Sequence, residues 1–208
     1  MIRAGYYYAA ALIAAGLALG WLLGWPAALP GLLLAAFFLY FFRDPRRAPP
    51  PDERLIVAPA DGKVTLAAPE GEGYRISIFL SVFDVHVNRA PMAGWVSDVE
   101  RRPGRFMNAL RAESAVVNEQ VRSRLEGPQG KLEMIQIAGL LARRIEFWPR
   151  PGTKIERGQR VGLIKFGSRV DLRLPPEARP RVRVGDRVKG GESVVAEWSV
   201  GSVEMNGK

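Results

Sequence analysis

The chain has 208 residues, about half of them apolar, enough for one good core but hardly two. It contains no cysteine, which excludes disulfides, thiol nucleophiles and zinc-thiolate sites. A formal charge of +9 predicts an anionic partner, either nucleic acid or an acidic lipid surface.

From Ala4 to Phe42 no residue is charged. The stretch is too long for one ordinary span of about 20 residues, and Trp25-Pro26 and Pro30-Gly31 break it near its middle. This predicts a membrane hairpin over residues 1–43, with arms at Tyr6 to Leu23 and Leu32 to Phe42. Arg3 stands at one end and Arg43, Arg46 and Arg47 at the other, so both ends belong in the cytoplasm. A cleaved signal peptide fits less well: the apolar stretch is too long and lacks a convincing small-residue cleavage site.

Residues 44–51, with three consecutive prolines at their end, read as a stiff linker, and residues 52–208 as the soluble domain. Short strands dominate that domain: Leu55 to Val57, Gly62 to Leu66, Tyr74 to Leu80, Trp95 to Glu100, Val116 to Leu125, Lys131 to Ile137, Gln159 to Leu174 and Val194 to Trp198. Helix is suggested only at Phe106 to Ser114 and Leu140 to Ile145. The expected fold class is mainly β, a β-rich α+β domain. Val182 to Glu192 is similar to the half-motif of biotinyl and lipoyl carrier domains, which implies a barrel-sandwich element, but no carrier lysine sits at its turn.

Three places carry candidate chemistry. In the run Ile164 to Leu172, alternation puts Phe166, Ser168 and Val170 on one apolar face, so the Ser168 hydroxyl is aimed inward directly after Gly167. A buried hydroxyl without a partner costs about 1 to 3 kcal/mol. One reading is a glycine bulge whose serine bonds a neighbouring strand; the other is attack of the hydroxyl on the Gly167 carbonyl, followed by chain cleavage that leaves a pyruvoyl group. Asp61, before Gly62, reads by itself as a turn residue. His86 is the only histidine in the chain and the side chain best suited to proton exchange near neutral pH.

Phe42-Arg43-Asp44-Pro45 after the hairpin, Pro59-Ala60-Asp61-Gly62, Phe83-Asp84-Val85-His86-Val87-Asn88-Arg89-Ala90-Pro91, and Phe166-Gly167-Ser168 together resemble the short, membrane-anchored phosphatidylserine decarboxylase proenzymes, in order and over nearly the whole chain. The resemblance implies self-cleavage between Gly167 and Ser168, giving a β chain of residues 1–167 and an α chain of residues 168–208 that stay together as a heterodimer. It implies a pyruvoyl cofactor derived from Ser168, no metal, and catalytic roles for Ser168, His86 and Asp61. Long members of that family carry two histidines three apart; here the first matches His86, and Arg89 stands where the second would be. Arginine is a poor base, so His86 is assigned both maturation and turnover, and Arg89 a substrate-binding role. The implied partners are phosphatidylserine and the anionic inner face of the cell membrane, with Arg101, Arg102, Arg105, Arg143 and Arg144 available to phosphates and room for a homo-oligomer.

Two other classes compete. An anchored, non-catalytic lipoyl-like adaptor would need a long helical hairpin that is missing here, and a pyruvoyl decarboxylase of another amino-acid head group would share most of these motifs. Nucleic-acid binding is disfavoured because few aromatic residues interleave with the basic ones.

Overall fold

The computed structural model describes residues 3–107, 109, 113–139, 144–164 and 168–199. The chain divides into two compact units, Met1–Arg46 and Arg47–Lys208.

The first unit is a helical hairpin: α1 (Arg3–Leu23), a 3-10 turn over Trp25–Ala28, and α2 (Leu29–Phe41). Gly24 adopts a φ of 94°, which ends α1, and Pro26 sits in the first turn of the 3-10 segment, where its missing N–H costs no hydrogen bond. The arms approach closely at small residues: a Cβ on Gly31 would lie 2.8 Å from the Gly16 Cα. Tyr8 packs on Phe38 and Phe42, with ring centroids 5.3 and 5.9 Å apart. Ala4–Leu23 is long and apolar enough to cross a bilayer, whereas Trp25–Phe41 is a shorter apolar segment.

The second unit is mainly β. In chain order its elements are β1 (Leu55–Val57), β2 (Gly62–Glu70), β3 (Gly73–Leu80), β4 (Val87–Arg89), β5 (Gly94–Arg102), the single turn α3 (Ser114–Val117), β6 (Gln120–Gly127), β7 (Gly130–Ile137), β8 (Ile145–Phe147), β9 (Lys154–Ile155), β10 (Arg160–Ile164), β11 (Ser168–Leu174), β12 (Ala178–Pro180), β13 (Arg187–Val188) and β14 (Val194–Trp198). They form an eight-stranded sheet in the order β13-β2-β3-β11-β7-β6-β5-β9 and two three-stranded sheets, β4-β10-β8 and β1-β14-β12. The core takes Ile76, Ile78 and Leu80 from β3, Met134 from β7, Val170 and Leu172 from β11, and Val161 and Ile164 from β10. Each such side chain contributes about 1.5 to 3 kcal/mol of apolar burial.

Three sequence expectations change. The run from Gln159 to Leu174, read as one strand, is two strands in different sheets: β10 ends at Ile164 and β11 begins at Ser168, with Lys165, Phe166 and Gly167 outside the described residues. Val116 is not in a strand but in α3, and β6 begins only at Gln120. Of the two expected helices, Asn108, Leu110 to Ala112 and Leu140 to Arg143 lie outside the described residues, while Ile145 opens β8 and only Ser114 is helical. The Asn118 side chain ties together the described residues on either side. Its amide bonds both the N–H and the carbonyl of Met107, at 2.9 and 2.8 Å, and the carbonyl of Ala138 at 2.7 Å.

Ala109 and Ser114 meet the other face of β11, which alternation along the strand would leave polar. Arg169 and Asp171 on β11 are buried and paired at 2.8 Å, and Arg169 also donates to the Ala109 carbonyl at 3.3 Å. The carrier-like segment Val182 to Glu192 forms turns around β13, which pairs through Val188 with Gly62 at the start of β2.

Candidate active site

Ser168 opens β11 opposite Leu80, the last residue of β3. It shares the face of Val170 and Leu172 and is fully buried, and its Oγ has no hydrogen-bond partner among the described residues. The inward serine expected from alternation is therefore present. Gly167, the residue before it, lies outside the described residues.

His86 is delivered by a tight turn that leaves β3. Asp84 closes this turn: its carboxylate accepts from the Ser81 N–H at 2.8 Å and the Ser81 hydroxyl at 2.7 Å. The Asp84 carbonyl then accepts from His86 Nδ1 at 2.9 Å. A carbonyl can only accept, so Nδ1 carries the proton and Nε2 of the neutral ring carries the lone pair. The imidazole is fully buried.

A buried amide pair sets the register between the sheets that carry these two residues. Gln136 on β7 stands opposite Val170, and its Nε2 donates to Asn88 Oδ1 on β4 at 2.7 Å. His86 lies two residues before Asn88, and Ser168 two residues before Val170. Both steps run toward the same end, because the Ile164 N–H donates to the His86 carbonyl at 3.3 Å and the chain passes from Ile164 to Ser168 through only Lys165, Phe166 and Gly167. Ser168 and His86 thus mark one end of the paired sheets.

Asp61 precedes β2 at that end of the eight-stranded sheet, where Lys63 stands opposite Phe79. With β3 between β2 and β11, it is offset from Ser168 by about two strand spacings, roughly 10 Å. Glycine is required at the next position: Gly62 has a φ of 148°, and a Cβ there would meet the Phe79 carbonyl oxygen at 2.1 Å. Both Asp61 oxygens are engaged. Oδ1 accepts from the Gly190 N–H at 2.8 Å, and Oδ2 accepts from Arg47 Nη2 at 2.7 Å. Burial pushes the Asp61 carboxyl above its ordinary range, against the opposing pull of the Gly190 N–H and Arg47.

Arg89 follows a different course from His86. Alternation along β4 turns it away from the His86 face, and its Nη1 donates to the Gly158 carbonyl at 3.0 Å. Its stem lies against Gly191, where an added Cβ would come within 2.7 Å of Arg89 Cδ. The Arg89 N–H donates to Pro59, in the loop that carries Asp61. Sequence reasoning also missed Asp84, the Asn88–Gln136 pair and Arg47, since an acidic turn residue, two amides and a linker arginine look ordinary in one dimension.

A depression of about 430 Å3 is lined by Lys63, Phe79, Ser81, Asp84, Val184 and Arg187, on the face of β3 opposite Leu80. Among the described residues, no group of three or more histidine or acidic side chains is placed to hold a metal.

The phosphatidylserine decarboxylase family model matches residues 34–196. The phosphatidylserine decarboxylase proenzyme of Solibacter usitatus (strain Ellin6076) is 48% identical over 196 residues, covering 94% of this chain and 96% of that relative. The inward serine, the buried histidine and these two matches agree, and the chain belongs to the phosphatidylserine decarboxylase family, a family of carboxy-lyases.

Proposed function

We propose that this chain is a proenzyme that cleaves itself between Gly167 and Ser168, converts Ser168 into a pyruvoyl group, and decarboxylates phosphatidylserine to phosphatidylethanolamine. The observation that carries the reading is the Ser168 hydroxyl, fully buried, without a partner among the described residues, at the end of the sheets marked by His86. A structural serine in that position would forfeit about 1 to 3 kcal/mol for no return. A serine that is consumed has a reason to stand there.

Maturation balances as follows. The Ser168 Oγ gives its proton to a base and bonds the Gly167 carbonyl carbon; the Gly167–Ser168 C–N bond breaks, and the freed nitrogen takes up a proton. Loss of the Ser168 Cα proton then expels the Gly167 carboxylate. Water hydrolyses the resulting enamine, releasing ammonia and leaving the α-keto group. His86, with its lone pair on Nε2, is the base in this scheme, and Asp61 supports the same end with negative charge.

The site fits the group it is to hold, because the orphaned hydroxyl marks where a carbonyl would stand among apolar neighbours. The pyruvoyl carbonyl would supply covalent attachment for the substrate amine and a sink for the electrons released as carbon dioxide leaves. His86 delivers the proton that replaces the lost carboxylate. Burial at this end excludes water and disfavours the charged carboxylate relative to neutral carbon dioxide.

The α chain would stay bound after cleavage without any covalent link. Its first strand, β11, lies between β3 and β7, and β14 lies between β1 and β12. This is the physical basis for a heterodimer of residues 1–167 and 168–208. Arg89, whose Nη1 donates to the Gly158 carbonyl and whose backbone N–H donates to Pro59, enters as a brace for the Asp61 loop.

The apolar hairpin anchors the protein in the cell membrane, with the second unit on the cytoplasmic side as Arg3, Arg43 and Arg46 direct. Carbon dioxide release from carboxyl-labelled phosphatidylserine in mixed micelles tests the reading. Release from the lipid and none from free serine is expected; the reverse preference would make the protein a soluble-substrate decarboxylase.

A further inference from the structure

Arg47 is the first residue of the second unit and directly follows the segment that begins with the apolar hairpin. A linker arginine of this kind is ordinarily solvated. Here its side chain is only 7% exposed and grips two carboxylates, Asp61 at 2.7 Å and Glu192 at 3.1 Å. The linker around it is seated on the domain as well. Arg157 donates to the backbone carbonyls of Pro50, Asp52 and Leu55, the last at 3.0 Å, and the Pro49 ring lies close to Gly158.

The same small volume holds the other supports of Asp61. Gly191 has a φ of 78°, and a Cβ there would meet Arg89 Cδ at 2.7 Å and Arg47 Cβ at 3.5 Å, so the two arginine stems converge on one glycine. Gly190 presents its N–H to Asp61 from the same turn. The linker, the turn after β13 and the start of β2 therefore meet at one carboxylate.

We propose that Arg47 is a positioning residue for self-cleavage, holding Asp61 ionised and oriented at the Ser168 end of the sheet. This rests on the role given to Asp61 in the proposed function. It adds that the juxtamembrane linker is part of the maturation machinery, so that cleavage requires the linker to be seated on the domain.

The physical case is a balance of opposing effects. Burial favours the neutral form of Asp61, and the Asp84 carboxylate pushes in the same direction. Arg47 and the Gly190 N–H oppose them. Arg187 on β13 is paired with Asp84 at 3.4 Å, which moderates the Asp84 charge. Lys63 on β2 and Lys189 in the adjoining turn add positive charge nearby in the chain, while Arg89 is held by Gly158. Glu192 competes with Asp61 for Arg47. Arg47 places a positive charge directly on Asp61 through their 2.7 Å ion pair.

The test follows the rate of conversion of full-length protein to two chains against pH, in the wild type, Arg47→Gln, Arg47→Lys and Glu192→Gln, with thermal unfolding measured for each substitution in a Ser168→Ala background. Arg47→Gln should slow cleavage at least tenfold at neutral pH and move the acid limb of the profile upward by about one unit. Arg47→Lys should restore most of the rate. Glu192→Gln, which leaves Arg47 to Asp61 alone, should move the limb downward. An unchanged limb in Arg47→Gln and Glu192→Gln would overturn the proposal, even with both rates reduced, because a merely structural role lowers the rate without moving the titration. If Arg47→Gln does not fold, the sign of the Glu192→Gln shift decides alone, and an upward or absent shift overturns the proposal. A wild type that never cleaves would instead overturn the proposed function.

Discussion

The Asn88 and Gln136 side chains, both fully buried, are joined by a 2.7 Å hydrogen bond that runs from the three-stranded sheet to the eight-stranded one. This bond fixes the offset between β4 and β11, and the offset puts His86 and Ser168 at the same end. Gln136→Leu should cost about 1 to 3 kcal/mol by stranding the Asn88 amide, measured by thermal unfolding in a Ser168→Ala background, and should also slow cleavage. Pairing it with Asn88→Leu should recover part of the stability and none of the cleavage rate. Recovery of both would mean that the pair holds the core and has no bearing on register.

His86 serves maturation and turnover in this account. His86→Ala should therefore remain full length, with no decarboxylation to follow. The same variant cleaving normally and releasing carbon dioxide at the wild-type rate would place the proton donor elsewhere.

Asp61 gives a pH dependence whose sign follows from its environment. Its folded pKa lies above its ordinary value of 3.8, chiefly through burial. The neutral carboxyl is thus the form that folding favours, and stability falls as pH rises from the ordinary value through the raised one. Cleavage needs the ionised form and has the opposite trend, declining as pH drops through the raised value. Asp61→Asn in the Ser168→Ala background should abolish the stability loss in that window, as seen by unfolding between pH 4 and neutrality. Persistence of the loss would assign the titration to another group.

The Arg169–Asp171 pair begins one residue beyond Ser168, with both side chains nearly inaccessible, 8% and 2% exposed. Arg169→Ala should destabilise the domain by about 3 to 5 kcal/mol because it leaves Asp171 buried and unpaired. Denaturant unfolding of the uncleaved Ser168→Ala protein checks this. A cost below about 1 kcal/mol would show that the loop through Ala109 opens to water and does not cover the pair.

Arg89→Ala separates a bracing role from a substrate-binding one. Loss of its charged hydrogen bond to Gly158 should cost about 1.5 to 3 kcal/mol and slow maturation, leaving the KM for lipid in already cleaved protein unchanged. A raised KM with normal maturation would instead make Arg89 a substrate-binding residue.

Much of this was legible in one dimension. The uncharged stretch broken by Trp25-Pro26 and Pro30 gave a hairpin, and two-residue alternation from Val170 to Leu174 gave the inward face that carries Ser168. What alternation could not reveal is whether the other face is also covered; Arg169 and Asp171 look like surface residues until the loop through Ala109 and Ser114 closes over them. The break between β10 and β11 was hidden for a similar reason, since both strands are apolar and only pairing partners distinguish their sheets. Arg47 carried no signal at all. Its contacts with Asp61 and Glu192 span 14 and 145 positions of sequence, and a basic residue after an apolar hairpin already had a sufficient explanation in membrane topology.

The central claim is that Ser168 is consumed, and an intact-mass spectrum of the purified, active protein under denaturing conditions tests it most directly. The account predicts two species in place of the 22.9 kDa chain. One corresponds to residues 1–167 ending in a free carboxylate; the other corresponds to residues 168–208, lighter than the plain peptide by one ammonia and closed to N-terminal sequencing. Ser168→Ala should give only the single full-length mass. A wild-type protein that decarboxylates phosphatidylserine while remaining one intact chain with an unmodified Ser168 would contradict the account.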